Sequence, residues 1–457
     1  MAGNNNRKIV RNGRVIDPAQ GIDRVADVLI SSGKVEKVTA APLSAVPGGY
    51  EVIDAAGLVV SPGFVDLHTH LRDPGFEWKE TVATGTQAAA QGGFTTVCAM
   101  PNTDPAQDNA SVVKDLLRRA ASAAAVRVLA IGAITVGRNG QQMAPMAELA
   151  SAGVIGFSDD GDPVSDPNVM RQALQYSSSL GLPVINHAED RSIGRGGAMN
   201  EGDVATRLGL SGAPVQAEAV MIARDIELAE LTGGRLHVPH VSTRAAVAHI
   251  RAAKQRGLSV TAEVTPHHLT LNDRWVYGLH GEVPEVLSPI TYDTNSKVNP
   301  PLRSPDDVAA VIEALADGTI DLIATDHAPH AQTDKVCTFD EAAHGINVLE
   351  TAFGQVMSLV HREDMTLPDL LHRLTTAPAG VLGMDLGTLK DGSPADIVLL
   401  DPDSEWTVKP AEFASRSRNT PLEGVKLKGR VVATLSGGKV VWDSRRVPAA
   451  AGGRAVD

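Results

Sequence analysis

Five side chains in this sequence pair metal-ligand chemistry with a common position. His68, His70, His187, His240 and Asp326 each fall at or near the end of an apolar run, as does the acidic pair Asp159–Asp160. His68 and His70 are two apart in FVDLHTH, so an extended strand points both to one face. Neutral imidazole suits zinc, and a carboxylate or carbonyl behind each ring can fix its tautomer. A single HxH is weak evidence, because most such pairs are surface or satisfied residues. Here His187 closes PVINHAED and His240 closes RLHVPHVST, which is hard to explain by packing alone. Asp326 in IATDHAPH is the strongest single candidate, able to bind a metal and to accept a proton from metal-bound water. Two histidines and a proline that follow it weaken its other reading as a helix cap. Two cations about 3.5–4 Å apart need an anion between them, which Asp159 or Asp160 of FSDDG can supply. Neighbouring strand residues face opposite ways, so only one of the two should enter the site.

The elements that must carry these groups follow from periodicity. The middle of the chain alternates apolar β-rich runs with Ala-rich helical stretches, the pattern of a parallel sheet built from βα units. Eight such strands can be counted: GFVDLHTH, FTTVCAMPN, VRVLAIGAIT, VIGFSDDG, PVINHAED, RLHVPHVST, SVTAEVTPHH and DLIATDHAPH. Eight is the number of a (β/α)8 TIM-type barrel, and barrel enzymes build their sites at the C-terminal ends of the strands. That is where the His, Asp and Asn residues fall. Among the helical runs, SPDDVAAVIEALADG opens on Ser304 with Asp307 three residues on, an acidic variant of the capping box. Both ends of the chain read as short strands broken by Gly-containing turns. The expected fold class is therefore α/β: a barrel over 61–385 and a small β-sandwich domain assembled from 1–60 and 386–457. The closing tail Pro448–Gly453 reads as disordered.

Bulk properties narrow the functions. A net charge of −13 over 457 residues argues against nucleic-acid binding. It also means that an anionic substrate needs a local cation inside the site. Two cysteines, Cys98 and Cys337, cannot build a disulfide framework, and Cys98 in TTVCAM reads as a small core residue. The first residues lack the apolar segment of a signal peptide, and no run approaches the roughly 18 apolar residues of a membrane span. A cytoplasmic setting is the expectation.

Taken together, FVDLHTHLRDPG, GFTTVCAMPNT, FSDDG, NHAED, HVST, TAEVTPHHL, NPPLRS and IATDHAPH resemble the bacterial dihydroorotases of the amidohydrolase superfamily. The resemblance runs from about Ile9 to Asp443. It implies two zinc ions per subunit, one held by His68, His70 and Asp326 and the other by His187 and His240. Asp160 and a hydroxide would bridge them. Related enzymes use a carboxylated lysine as the bridge at this strand, but VIGFSDDG contains no lysine. The resemblance further implies that Arg72, Asn102 and His330 grip a substrate carboxylate, that His70 also borders the substrate, and that Asn299 reads a ring amide. A guanidinium there is the local cation that the acidic surface demands. In the loop after the last strand the family places Phe before Gly, whereas this chain has His344–Gly345; a backbone contact would survive that change. The segment 271–297 is longer than the family pattern and could shape the entrance or a subunit contact.

The implied reaction is the reversible zinc-dependent hydrolysis of (S)-dihydroorotate to N-carbamoyl-L-aspartate in pyrimidine (UMP) synthesis, with Asp326 as general base and acid. A homodimer, alone or with aspartate carbamoyltransferase, is the implied assembly. Three rivals are weaker. A hydantoinase or allantoinase would leave Arg72 and Asn102 without a task. A non-catalytic scaffold for aspartate carbamoyltransferase would be expected to lose ligands, and a mononuclear deaminase needs no bridging acid.

Overall fold

The structure is a computed structural model and describes residues 7–446 apart from Pro289. The tail expected to be disordered, Pro448–Gly453, lies outside the described residues.

Among the described residues, eight parallel strands form the central sheet in sequence order. They are β1 (Phe64–Thr69), β2 (Phe94–Ala99), β3 (Arg127–Gly132), β4 (Val154–Ser158), β5 (Val184–Ile185), β6 (Leu236–Val238), β7 (Val260–Val264) and β8 (Leu322–Ile323). The ring closes where Thr69 bridges His327 in parallel and the His70 N–H donates to the His327 carbonyl at 3.0 Å. The expected (β/α)8 barrel is therefore present. Strands β5 and β8 are shorter than the apolar runs that announce them. Beyond Ile185 and Ile323 the chain leaves the ladder so that its polar residues can turn over the barrel mouth.

Helices cover the barrel and begin where the sequence places their caps. Thr81 caps Val82–Gln91, Asn109 caps Ala110–Ala123, and Ser304 caps Pro305–Asp317. The Ser304 hydroxyl accepts the Asp307 N–H at 3.2 Å and donates to the Asp307 carboxylate at 2.7 Å, so the acid meets the hydroxyl and not the Ser304 N–H that a full capping box would engage. Apolar side chains from both layers, such as Phe64, Phe94, Phe157, Leu149 and Val356, are buried in one continuous core. Cys98 belongs to a smaller buried group with Met100 and Ile131.

A second eight-stranded sheet draws its strands from both ends of the chain. Val59–Pro62 pairs antiparallel with Ile397–Thr407, matching Pro62 to Ile397 and Val59 to Leu400. These strands bury their own cluster, including Val15, Val28, Ile30, Leu399 and Leu435, and form the expected β-sandwich. The arrangement matters for the site. Val59–Pro62 ends two residues before β1 begins, so the small domain anchors the base of the HxH strand.

Glu350 lies buried where the C-terminal segment returns to the barrel, and its carboxylate accepts the Ala414 and Ser415 N–H groups at 2.6 and 3.3 Å. Burial pushes its acid up to about 7. A raised acid favours the folded state fully below the unfolded value of 4.5, and that contribution is lost as pH rises towards about 7. Melting temperature should accordingly fall across this window in the wild type and fall less in Glu350→Gln. Parallel pH profiles for the two proteins would refute this.

Candidate metal centre

All twelve side chains singled out by sequence converge on the C-terminal mouth of the barrel. Eleven line a single cleft of about 220 Å³: His70, Arg72, Asn102, Asp160, His187, His240, Asn299, Asp326, His330, His344 and Gly345. His68 lies fully buried beneath it.

Asp160 sits at the centre of the cluster. One carboxylate oxygen lies 3.4 Å from His68 Nε2, 3.5 Å from His240 Nε2 and 3.7 Å from His187 Nδ1, and the other lies 3.4 Å from His70 Nε2. Asp326 Oδ1 is 3.1 Å from His70 Nε2 and 3.5 Å from His68 Nε2. Of the FSDDG pair, Asp160 enters the cleft. Asp159 turns away and accepts the Ile134 and Thr135 N–H groups at 2.8 and 3.0 Å. Burial raises the Asp159 acid to about 6.

These side chains fit a bound cation. Among the described residues, His68 Nε2 and Asp160 Oδ1 are buried without a hydrogen-bond partner, a costly state for such atoms unless something occupies the space between them. His187 Nδ1 and His240 Nε2 approach to 3.0 Å, where two imidazole lone pairs would repel unless they share a proton or a cation. Among the described residues, ligand atoms cluster within 4.8 Å as His68–His70–Asp326 and as His68–Asp160–His240. The first set is the one expected from sequence. The second joins Asp160 and His240 to His68, with His187 beside them.

Electrostatics hold both carboxylates in the charged form. Burial alone would raise them, but the imidazoles around them, His68 foremost, bring Asp160 and Asp326 well below the usual carboxylate range. His187 is likewise buried, yet the neighbouring Asp160 and Glu189 carboxylates raise it to about 9. The backbone is strained at the same place. Arg72, His240 and Asp326 adopt φ of 60°, 35° and 45°, a left-handed conformation that costs about 1–3 kcal/mol each. Such strain persists only where surrounding contacts over-determine it.

Ring orientation is set from behind. His70 Nδ1 donates to Asn102 Oδ1 at 2.8 Å, which turns Nε2 towards Asp326 and gives Asn102 a second task beyond the substrate role expected of it. His68 Nδ1 donates to Glu263 Oε1 at 2.7 Å, and the other Glu263 oxygen meets His237 Nε2 at 3.0 Å. Although burial alone would raise Glu263, the His237 and His68 rings lower it to about 2. Sequence reasoning missed Glu263 and His237. The available signal was a lone acid inside the apolar run SVTAEVT of β7, opposite a histidine within β6.

The other half of the cleft carries the cation. Arg72 Nε donates to the Pro329 carbonyl at 3.2 Å, and its guanidinium approaches His330 Nε2 at 3.4 Å. Burial lowers the Arg72 guanidinium to about 10, still charged at neutral pH. Asn299 Nδ2 donates to Glu189 Oε2 at 2.9 Å. The His344 side chain is exposed at the rim, while its carbonyl accepts from His330 Nε2 at 2.8 Å. Gly345 has φ of 147°, and a Cβ there would lie 2.7 Å from both the Ala328 Cβ and the Ala328 carbonyl oxygen. Its N–H is already donated to the Lys297 carbonyl at 2.9 Å, so that amide is committed to holding the loop. The long segment 271–297 braces the same loop. Val276 and Tyr277 pack against Met199, Leu208 and Phe339, and the Lys335 ammonium donates to the Thr294, Lys297 and Ala343 carbonyls at 3.0, 3.2 and 2.6 Å.

Comparison with known proteins identifies the family. A family model described as dihydro-orotase-like matches residues 57–246, and one described as the amidohydrolase family matches residues 296–442. Among solved structures, an L-hydantoinase (dihydropyrimidinase) from Arthrobacter aurescens superposes with a TM-score of 0.84 at 27% identity, covering 95% of this chain and 96% of that one. A D-hydantoinase from a Bacillus sp. gives 0.81 at 25% identity, with 95% of each chain covered. Fold and site thus define an amidohydrolase, a hydrolase acting on a cyclic amide. Curated relatives are much more similar in sequence. A dihydroorotase of Anaeromyxobacter dehalogenans is 52% identical over 95% of this chain and 97% of its own length. One from Pelotomaculum thermopropionicum is 50% identical over 96% and 99%. The chain belongs to the dihydroorotase family.

Replacing Glu263 by Gln should weaken divalent-metal binding roughly ten- to hundredfold, the usual cost of losing the carboxylate behind a ligand histidine. Chelator competition on the purified protein measures it, and an unchanged affinity would detach Glu263 from the centre.

Proposed function

We propose that this protein is a dihydroorotase that interconverts (S)-dihydroorotate and N-carbamoyl-L-aspartate, a step of de novo pyrimidine synthesis, with two zinc ions per subunit. The observation that carries the reading is the pairing, in one small cleft, of the carboxylate–imidazole cluster with the buried Arg72 cation. A cluster of that kind serves many amidohydrolases. The guanidinium beside it selects a ring that bears a carboxylate, which hydantoin lacks.

His68, His70 and Asp326 would hold one ion and His187 and His240 the other, with Asp160 between them. When bound, the ions supply Lewis-acid polarisation of the ring carbonyl and acidify a water for attack at neutral pH. The remaining work belongs to side chains. Arg72 clamps the substrate carboxylate bidentately, with Asn102 and His330 beside it. Asn299 takes the ring amide from the opposite wall. Asp326, held ionised by His68 and His70, accepts a proton as water oxygen adds to the carbonyl carbon. It returns that proton to the ring nitrogen as the C–N bond breaks. The left-handed backbone at Asp326 keeps the carboxylate aimed at the cluster throughout.

The same reading carries a cytoplasmic homodimer, alone or with aspartate carbamoyltransferase. It also sets the domain limits at a barrel over 61–385 and a small domain over 1–60 and 386–457. No described helix is long and apolar enough to cross a membrane.

The test is an assay of dihydroorotate against hydantoin and allantoin, with zinc counted per chain. Dihydroorotate should be opened fastest, and faster turnover of hydantoin would overturn the substrate assignment while leaving the metal centre intact. Asp326→Asn should keep much of its metal and lose at least about a thousandfold in kcat, in line with the larger effects of removing a general base. Near-normal turnover in that variant would refute the proton-carrier role.

A further inference from the structure

One side chain from the C-terminal segment, far along the chain from the barrel strands, ties together two stretches that wall the cleft. Asn419 is buried. Its Oδ1 accepts the His330 N–H at 3.1 Å, and its Nδ2 donates to the Ala328 carbonyl and to the Gly345 carbonyl, each at 3.0 Å. Its own carbonyl accepts the Asn347 N–H at 2.8 Å. The side-chain amide thus uses both donors and its acceptor on the two loops. Ser417 extends the tie. Its hydroxyl donates to the His330 carbonyl at 2.6 Å, while the Asn347 amide donates to the Ser417 carbonyl at 2.9 Å.

The loops so joined are the ones that set the cationic half of the cleft. Residues 328–330 supply the carbonyl that orients Arg72 Nε and the imidazole next to its guanidinium. Residues 344–347 supply the carbonyl that receives His330 Nε2, and the glycine that leaves room for Ala328. A shift of either loop would change the separation between Arg72, His330 and the opposite wall. None of the six metal-ligand candidates is hydrogen-bonded to Asn419.

We infer that Asn419, with Ser417, is a positioning residue for substrate binding. It fixes from the C-terminal segment the spacing of the Ala328–His330 and Gly345–Asn347 loops, and through them the pocket that receives the substrate carboxylate. The inference rests on the dihydroorotate reading above. It separates two tasks in one cleft: strand ends hold the reacting centre, and the returning C-terminal loop sets the grip on the substrate.

The experiment compares wild type, Asn419→Leu and Ser417→Ala by steady-state kinetics on dihydroorotate, calorimetric binding of N-carbamoyl-L-aspartate, metal content and melting temperature. Leucine keeps the branching of asparagine at Cγ but is larger and offers no hydrogen bonds. It should raise KM and weaken calorimetric binding at least about tenfold, the scale of losing several buried hydrogen bonds. Metal content should not change, and kcat should stay within about twofold, the signature of lost binding rather than lost chemistry. Ser417→Ala should show the same split at about threefold and decides the matter if Asn419→Leu is too unstable to assay. An unchanged KM, or a fall in kcat that tracks a fall in metal content, would overturn the inference. A wild type inert towards dihydroorotate would instead sink the substrate reading, which the same assays detect separately.

Discussion

The structure is organised around the cost of keeping two ionised carboxylates, Asp160 and Asp326, out of water at one end of a barrel. Burial opposes their charge. What offsets it is a ring of imidazoles from β1, β5 and β6, with Asp160 reaching His68, His70, His187 and His240 together. An apolar core can close over such a cluster only if the polar atoms are paired or share a cation. Within the cluster, His68 Nε2 and Asp160 Oδ1 are buried without a hydrogen-bond partner among the described residues and mark where that pairing is incomplete.

Holding those groups in place requires a second layer of contacts. Glu263 fixes the His68 ring, Asn102 fixes the His70 ring, and Asp66 ties β1 to the end of β8 by accepting the Thr325 N–H at 2.8 Å. The Asp66 contact falls next to Asp326, whose left-handed backbone lies at the end of the same strand. The side of the cleft that carries Arg72 is braced differently. There the Lys335 ammonium and the Asn419 amide bind carbonyls of loops rather than side chains of strands. Loops carry the variable part of a barrel site, and here they are tied by side chains that lie outside the carboxylate–imidazole cluster.

The sandwich contributes more than a handle on the barrel. It pairs the strand that precedes β1 with one that follows the barrel, and so fixes the base of the HxH strand. From the same C-terminal stretch comes the loop carrying Ser417 and Asn419, which reaches the mouth at the opposite end of the strands. Glu350 marks the seam where that stretch is received, its carboxylate accepting two backbone N–H groups.

Much of this was legible in the residues. Eight apolar runs of strand length, seven of them with His, Asp or Asn at or near the end, specify a parallel barrel and the end at which polar groups gather, because period and burial are local properties of the chain. Ser304 and Asp307 announced their helix for the same reason. The choice of Asp160 over Asp159 was not local. It depends on which carboxylate finds the free N–H groups of Ile134 and Thr135, two residues brought close only by sheet pairing. Glu263 and Asn419 look unremarkable in sequence, since their partners lie up to 195 residues away. The sequence by itself determined the elements and the chemical identity of the cleft. Tertiary structure alone decided tautomers, loop spacing and backbone strain, because each of these is set by contacts between segments that share no local pattern.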